Sequence, residues 1–179
     1  MSLAFPDVQT TSLAADAIVT MLAPRHYQEV AIAAYEDAEL LLSSILPDAR
    51  IEHVGASSVP GAYSRGGVDV CVAVPRGAFD EALGVLAEAG YVAHEPQGQH
   101  DADDDRHAVF AAPHGDVAAT LRLVESGSRH EALMQFRDAL RGDGALLARY
   151  NAVRIDAAAN GAAAYAEAKA RFLDSALIA

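Results

Sequence analysis

The chain has 179 residues, with 13 Lys and Arg against 25 Asp and Glu, for a formal charge of −12. That length suits one domain with a core buried without disulfides or metals. The charge argues against a broad nucleic-acid-binding face, because the chain repels a phosphate backbone at long range. A small anion is not excluded, since one or two local arginines override the net field at short distance. The single cysteine, Cys71, excludes an intramolecular disulfide and suits a cytoplasmic protein. No stretch reads as a bilayer-spanning run or a secretory leader, so no membrane partner is expected. The sequence carries no indication of oligomeric state.

Ala17–Leu22 reads as a strand. Pro24 opens a helix over 26–46, with Val30, Ala34, Leu41 and Ile45 as its apolar stripe and Pro47 as its stop. Residues 51–54 form a short strand that runs into His53-Val54-Gly55-Ala56-Ser57-Ser58-Val59-Pro60-Gly61. The next strand, 68–74, alternates: Val68, Val70, Val72 and Val74 share one face, and Asp69, Cys71 and Ala73 share the other. A helix over 78–89 follows, closed by Gly90, and then a brief strand at 91–93. Residues 97–105 read as a polar loop. Strands around 107–112 and 117–124, joined by Pro113-His114-Gly115-Asp116, read as a hairpin.

The remainder is helical, in three stripes: Leu133, Phe136 and Leu140; Leu146, Tyr150, Val153 and Ala157; Tyr165, Ala168 and Phe172. Gly142 and Asn160-Gly161 separate them. Strands first and helices last predict an α+β fold, a mixed sheet with flanking helices and a helical C-terminal part. The whole chain, 1–179, is expected to be one domain, with a mixed core over about 15–125 and the helical part over about 129–176.

His53 to Gly61, with Arg65 and Val68-Asp69-Val70 downstream, resembles the signature of the GrpB family. The tail agrees: Phe136-Arg137-Asp138, Leu140-Arg141, Tyr150 with Arg154, and Tyr165 with Ala168-Lys169 and Phe172 are similar to elements of the same family. The resemblance runs from about Ile18 to Leu173. It implies a nucleotidyltransferase-like fold and a small anionic ligand or nucleotide. In such folds a Gly-Ser turn contacts phosphate through amides and a hydroxyl. Carboxylates on the next strand hold Mg²⁺. On that template His53, Gly55, Ser57, Ser58 and Arg65 are ligand-binding residues, joined by Arg137 and Lys169 from the tail. Asp69 and Arg122 are the catalytic candidates, and Asp69 is the metal ligand. The activity implied is nucleotidyl transfer to a small acceptor. The alternative is a non-catalytic nucleotide- or anion-binding protein with a degenerate metal site.

Several departures from the pattern favour that alternative. The second carboxylate position of the strand is Cys71, a soft ligand and a poor partner for Mg²⁺. Ala56 and Ser57 stand where the family usually has Ser-Thr. Thr120 and Arg122 take positions where it often has two histidines, which places a cation at a candidate ligand site. Because Asp69 and Arg122 are both out of phase with their apolar neighbours, they are expected on one side of the sheet within reach of each other, with weak Mg²⁺ affinity as the consequence.

Plainer readings stand beside these. Without the resemblance the loop reads as a turn with Ser57 and Ser58 as caps, and Asp69 reads equally as a carboxylate paired with an arginine. Cys71 reads as a small core residue, and His53 as a hydrogen-bonded strand-end histidine. Asp101 to Asp105 read as a solvated loop, and Arg137 and Lys169 as partners of Asp138 and Glu167.

Overall fold

β-Branched residues in strict alternation favour a pleated surface with one apolar face. In the computed structural model, which describes residues 17–93, 99–100, 106–114 and 117–177, such segments make one mixed sheet. Its strands are β1 (Arg50–Val54), β2 (Gly67–Val74), β3 (Val92–Ala93), β4 (Gln99–His100), β5 (Arg106–His114) and β6 (Val117–Glu125). The order is β1-β2-β6-β5-β3, with β4 also paired to β5. β2 and β6 are parallel, and the other pairs are antiparallel. The β2–β6 register sets Asp69 opposite Thr120 and Cys71 opposite Arg122.

The valine face of β2 packs with Phe110, Leu121 and Leu123 against α1 (Gln28–Ile45) and α2 (Phe79–Glu88), burying Leu42, Phe79 and Leu86. The helical tail comprises α3 (Ala132–Gly142), α4 (Gly144–Ala158) and α5 (Ala162–Leu177). Asp143 starts α4 by accepting from the Ala145 and Leu146 amides at 2.8 and 3.0 Å, a cap worth about 1 kcal/mol. Phe136, Tyr150 and Phe172 bring the three helices together, with ring centroids 5.3–6.3 Å apart. Their cluster also takes in Ala56, Val59 and Ala62, so the tail packs directly on the segment after β1.

Four expectations change. Residues 17–21 form no strand. Val19 instead donates to the Ala158 carbonyl and packs with Ala162 and Tyr165, and Leu22 makes an isolated bridge to Ser64. In α1 the buried positions are Ala31, Ala38 and Leu42, whereas Val30 and Leu41 are 53% and 45% exposed. This helix is apolar on most sides, so spacing alone left its phase open, and the small alanines let it sit close to the sheet. In α4 Val153 is 37% exposed and its neighbour Arg154 only 2%, because Arg154 finds buried hydrogen-bond acceptors. Finally, Gln99 and His100 pair with β5 rather than lying in a loop. Residues 94–98, Asp101 to Asp105 and the Gly115-Asp116 turn lie outside the described residues.

β1 is the edge of the sheet, yet its outward carbonyls are covered. The Tyr35 hydroxyl, which donates to Glu39 at 2.7 Å, lies 3.3 Å from Ile51 O, and Arg137 donates to His53 O at 2.9 Å. Such capping blunts an edge that could otherwise pair with another chain.

Candidate functional site

Gly55 ends β1 with φ 73° and ψ −172°, a region essentially reserved for glycine. A Cβ built there would lie 2.5 Å from Asp69 Oδ2. Glycine is therefore required twice, by backbone conformation and by the close approach to the carboxylate on β2. One helical turn follows, Ala56–Ser58. The Ser58 hydroxyl donates to Gly55 O at 2.7 Å, so it serves the turn and does not line a cavity. Ser57 Oγ lies 2.9 Å from His53 Nε2, and the His53 ring stacks on Tyr35 with centroids 4.7 Å apart. Burial, reinforced by the positive charges of Arg141 and Arg137 and opposed by Asp69, lowers His53 to about 4. It is neutral at pH 7 and orients Ser57 from behind.

The tail holds this segment by its backbone. Arg141 donates to Ser58 O at 2.7 and 3.1 Å, Asn151 to Gly61 O at 3.0 Å, and Arg154 to Tyr63 O at 2.7 Å. Arg154 also donates twice to the Tyr165 hydroxyl, at 2.6 and 3.0 Å, with its guanidinium 4.6 Å from the Tyr150 ring centroid. A carbonyl oxygen and a phenol thus solvate a cation that is almost fully buried.

Two adjoining cavities lie between loop, sheet and tail. The first, about 40 Å³, is bounded by Gly55, Asp69, Arg122, Arg137 and Lys169 with an apolar wall of Val54, Phe136, Leu140 and Leu173. The second, about 20 Å³, is polar, with Ser57, Ser64, Arg65, Asp69, Arg154 and Lys169 on its walls. Asp69, Lys169 and Tyr150 belong to both. Burial raises the Tyr150 phenol, opposed by Arg154 and Lys169, so it stays protonated.

Asp69 and Arg122 face the same side, as their strand phase requires. Arg122 Nη2 is 3.6 Å from Asp69 Oδ1, with the arginine side chain 7% and the aspartate side chain 30% exposed. That is an ion pair at longer than hydrogen-bond distance. Arg137, 8% exposed, donates to Glu52 at 2.7 Å and to Asp138 at 2.8 Å, and it also lines the first cavity. Arg137 thus borders the cavity while its guanidinium is held by Glu52, Asp138 and His53 O. Arg137 keeps the Asp138 carboxyl below its usual range. Cys71 is wholly buried, and burial pushes its thiol up to about 12.

A GrpB family profile matches residues 25–178. The chain belongs to the GrpB family. It is 29% identical over 143 residues to a UPF0157 protein of Vibrio cholerae, covering 80% of this chain and 73% of that one. Its structure is similar to the crystal structure of GrpB from Enterococcus faecalis, with TM-score 0.65, 20% identity, and 89% and 98% of the two chains covered. It also resembles a cytoplasmic RNA terminal U-transferase, at TM-score 0.51 and 16% identity over 75% of this chain. A further likeness is Cid1 in complex with the UTP analog UMPNPP, at TM-score 0.51 and 14% identity over 75% of this chain. The chain spans 40% of each of these two larger proteins, and at such identity the likeness is one of fold.

Within this GrpB-family fold, the sequence-derived candidates divide by position. Gly55, Ser57, Arg65, Asp69, Arg122, Arg137 and Lys169 border the paired cavities, while His53 supports them and Ser58 caps the turn. Arg154, Ser64, Tyr150 and Tyr165 were not singled out as ligand residues. Arg154 lies four residues after Tyr150, and that helical spacing was the available clue. Among the described residues no three His, Cys, Asp or Glu side chains are grouped to hold a metal, and no helix is long and apolar enough to cross a membrane.

Proposed function

We propose that the paired cavities bind the phosphate of a small ligand, a nucleotide or related anion. One observation carries this reading. In a chain of formal charge −12, Arg65, Arg122, Arg137, Arg154 and Lys169 line the cleft, and Asp69 is the carboxylate among the lining residues. Arg122 and Arg137 are partly neutralised by Asp69, Glu52 and Asp138. Arg65, Arg154 and Lys169 border the polar cavity, Arg154 while bonded to Tyr63 O and the Tyr165 hydroxyl. Low-dielectric walls strengthen the field of such a cluster at short range and leave the long-range repulsion of the surface intact. Ser57 adds a hydroxyl to the wall of the polar cavity, held 2.9 Å from His53 Nε2. Resemblance to the fold of a protein solved with a UTP analog supports nucleotides as the class to try first.

The test is calorimetric titration with UTP, ATP and pyrophosphate. Lys169→Gln removes a cation common to both cavities and is expected to weaken the binding of these anions about tenfold. If none of the three binds, or if Lys169→Gln binds them as well as the unaltered chain, the reading fails. A second reading, nucleotidyl transfer with Asp69 and Arg122 as the reacting pair, has one observation behind it. Asp69 keeps 30% of its side-chain surface open beside the loop. Transfer of label from α-labelled UTP to a small acceptor would support it, and unchanged UTP after prolonged incubation would end it.

A further inference from the structure

Mg²⁺ takes hard oxygen ligands in a strict octahedron, one or two carboxylates completed by waters and substrate phosphates. The face of β2 that carries Asp69 offers Cys71 as its next position, and that thiol is buried, protonated at neutral pH and soft. Across the sheet, Arg122 stands opposite Cys71 in register and pairs with Asp69 at 3.6 Å. The other carboxylate oxygen, Oδ2, lies against the Gly55 backbone, at 2.5 Å from where a side chain would begin. Asp69 therefore has one oxygen facing a guanidinium and the other facing a loop. The donor set does not fit a divalent cation.

We propose that this site binds the phosphoryl group of a compact anion without a divalent cation, the Arg122 guanidinium standing where a metal ion would. The inference rests on the anion-binding reading above and specifies its mode. A guanidinium already 3.6 Å from Asp69 repels an incoming Mg²⁺ and offers N–H donors that match phosphate oxygens in pairs. Arg65, Arg154 and Lys169 around the polar cavity supply the remaining positive charge. Size points the same way. The two cavities, about 40 and 20 Å³, have room for only a few water-sized atoms, whereas whole small-molecule ligands occupy sites of about 300–1,000 Å³. The compact anion is a pyrophosphate or phosphomonoester group, with any larger substituent held outside the two cavities.

Pyrophosphate is the probe. The unaltered full chain is titrated with it in EDTA, and again with Mg²⁺ at equal free pyrophosphate, alongside a titration with Mg²⁺ alone. The expected result is no saturable Mg²⁺ binding and the same pyrophosphate affinity in both buffers. A metal site coupled to the anion would raise that affinity about 5- to 150-fold in Mg²⁺. Such a rise, or tight binding of Mg²⁺ by itself, overturns metal-free recognition and leaves the anion site standing. Absence of binding in both buffers overturns the anion site and this inference together. Arg122→Gln, if it folds, is expected to lower the affinity in EDTA at least about tenfold. An unchanged affinity in the folded variant excludes Arg122 from the role. The titrations of the unaltered chain decide the metal question whether or not the variant folds.

Discussion

On one face of β2, Val68, Val70, Val72 and Val74 meet the apolar sides of α1 and α2. On the other, one residue out of phase, Asp69 meets Arg122, the Gly55 turn and a tail that projects Arg137, Arg154 and Lys169. The two faces share a backbone and differ in what is packed on them. The first contributes hydrophobic stabilisation that needs no direction. The second holds buried charge that is stable only while each group has a partner of suitable geometry. Stability and binding should therefore be separable by face.

The largest effect is expected from the apolar side. Phe110 is wholly buried among the core residues, and Phe110→Ala should lower unfolding stability by about 3–5 kcal/mol. Urea denaturation checks the loss, and anion affinity of the folded fraction should be unchanged. A fall in affinity matching the fall in stability would mean that the faces are coupled.

Acid tests the other side. His53 titrates at about 6.5 in an unfolded chain and at about 4 when folded. As pH falls below the first value, the unfolded chain takes up a proton that the folded chain refuses. The stability present at neutral pH is thus lost across that interval and changes no further, on this account, below the second. The loss amounts to about 3 kcal/mol. Unfolding midpoints measured between the two pH values should show it, and His53→Gln should flatten that part of the profile while the valine face contributes nothing to it.

The smallest of the three is a backbone effect at the site. Gly55→Ala forces a side chain into a glycine-only conformation at a cost of about 1–3 kcal/mol. It also drives the new Cβ against Asp69 Oδ2. Thermal unfolding should report the cost, and pyrophosphate binding should weaken more than stability alone explains. If affinity survives intact, the approach of the Gly55 turn to Asp69 is a packing feature only.

Much of this arrangement was legible in the residues. The alternation of β2 fixes which side chains oppose which, because a strand turns its side chains by half a revolution per residue. The pairing of Asp69 with Arg122 follows from that phase once the strands are neighbours. The face of α1 was not legible, since apolar residues on most sides give no preferred direction, and Ala31 and Ala38 were selected by closeness to the sheet. Residues 17–21 have strand-like composition, yet Val19 settles against the end of α4. Ser57 and Ser58 are adjacent and chemically alike; the turn sends one hydroxyl to His53 and the other to Gly55 O.

The sequence by itself determined the strands β1, β2, β5 and β6, the glycine turn, the polar face carrying Asp69, and the absence of a second carboxylate at Cys71. These are local properties, set by side-chain alternation and backbone conformation. Only the tertiary structure decided that Arg137, Arg154 and Lys169, from three separate helices, converge with Asp69 and Arg122 on one cleft. Tertiary packing also buried Arg154 in place of Val153, because the acceptors that make its burial tolerable, Tyr63 O and the Tyr165 hydroxyl, come from distant parts of the chain.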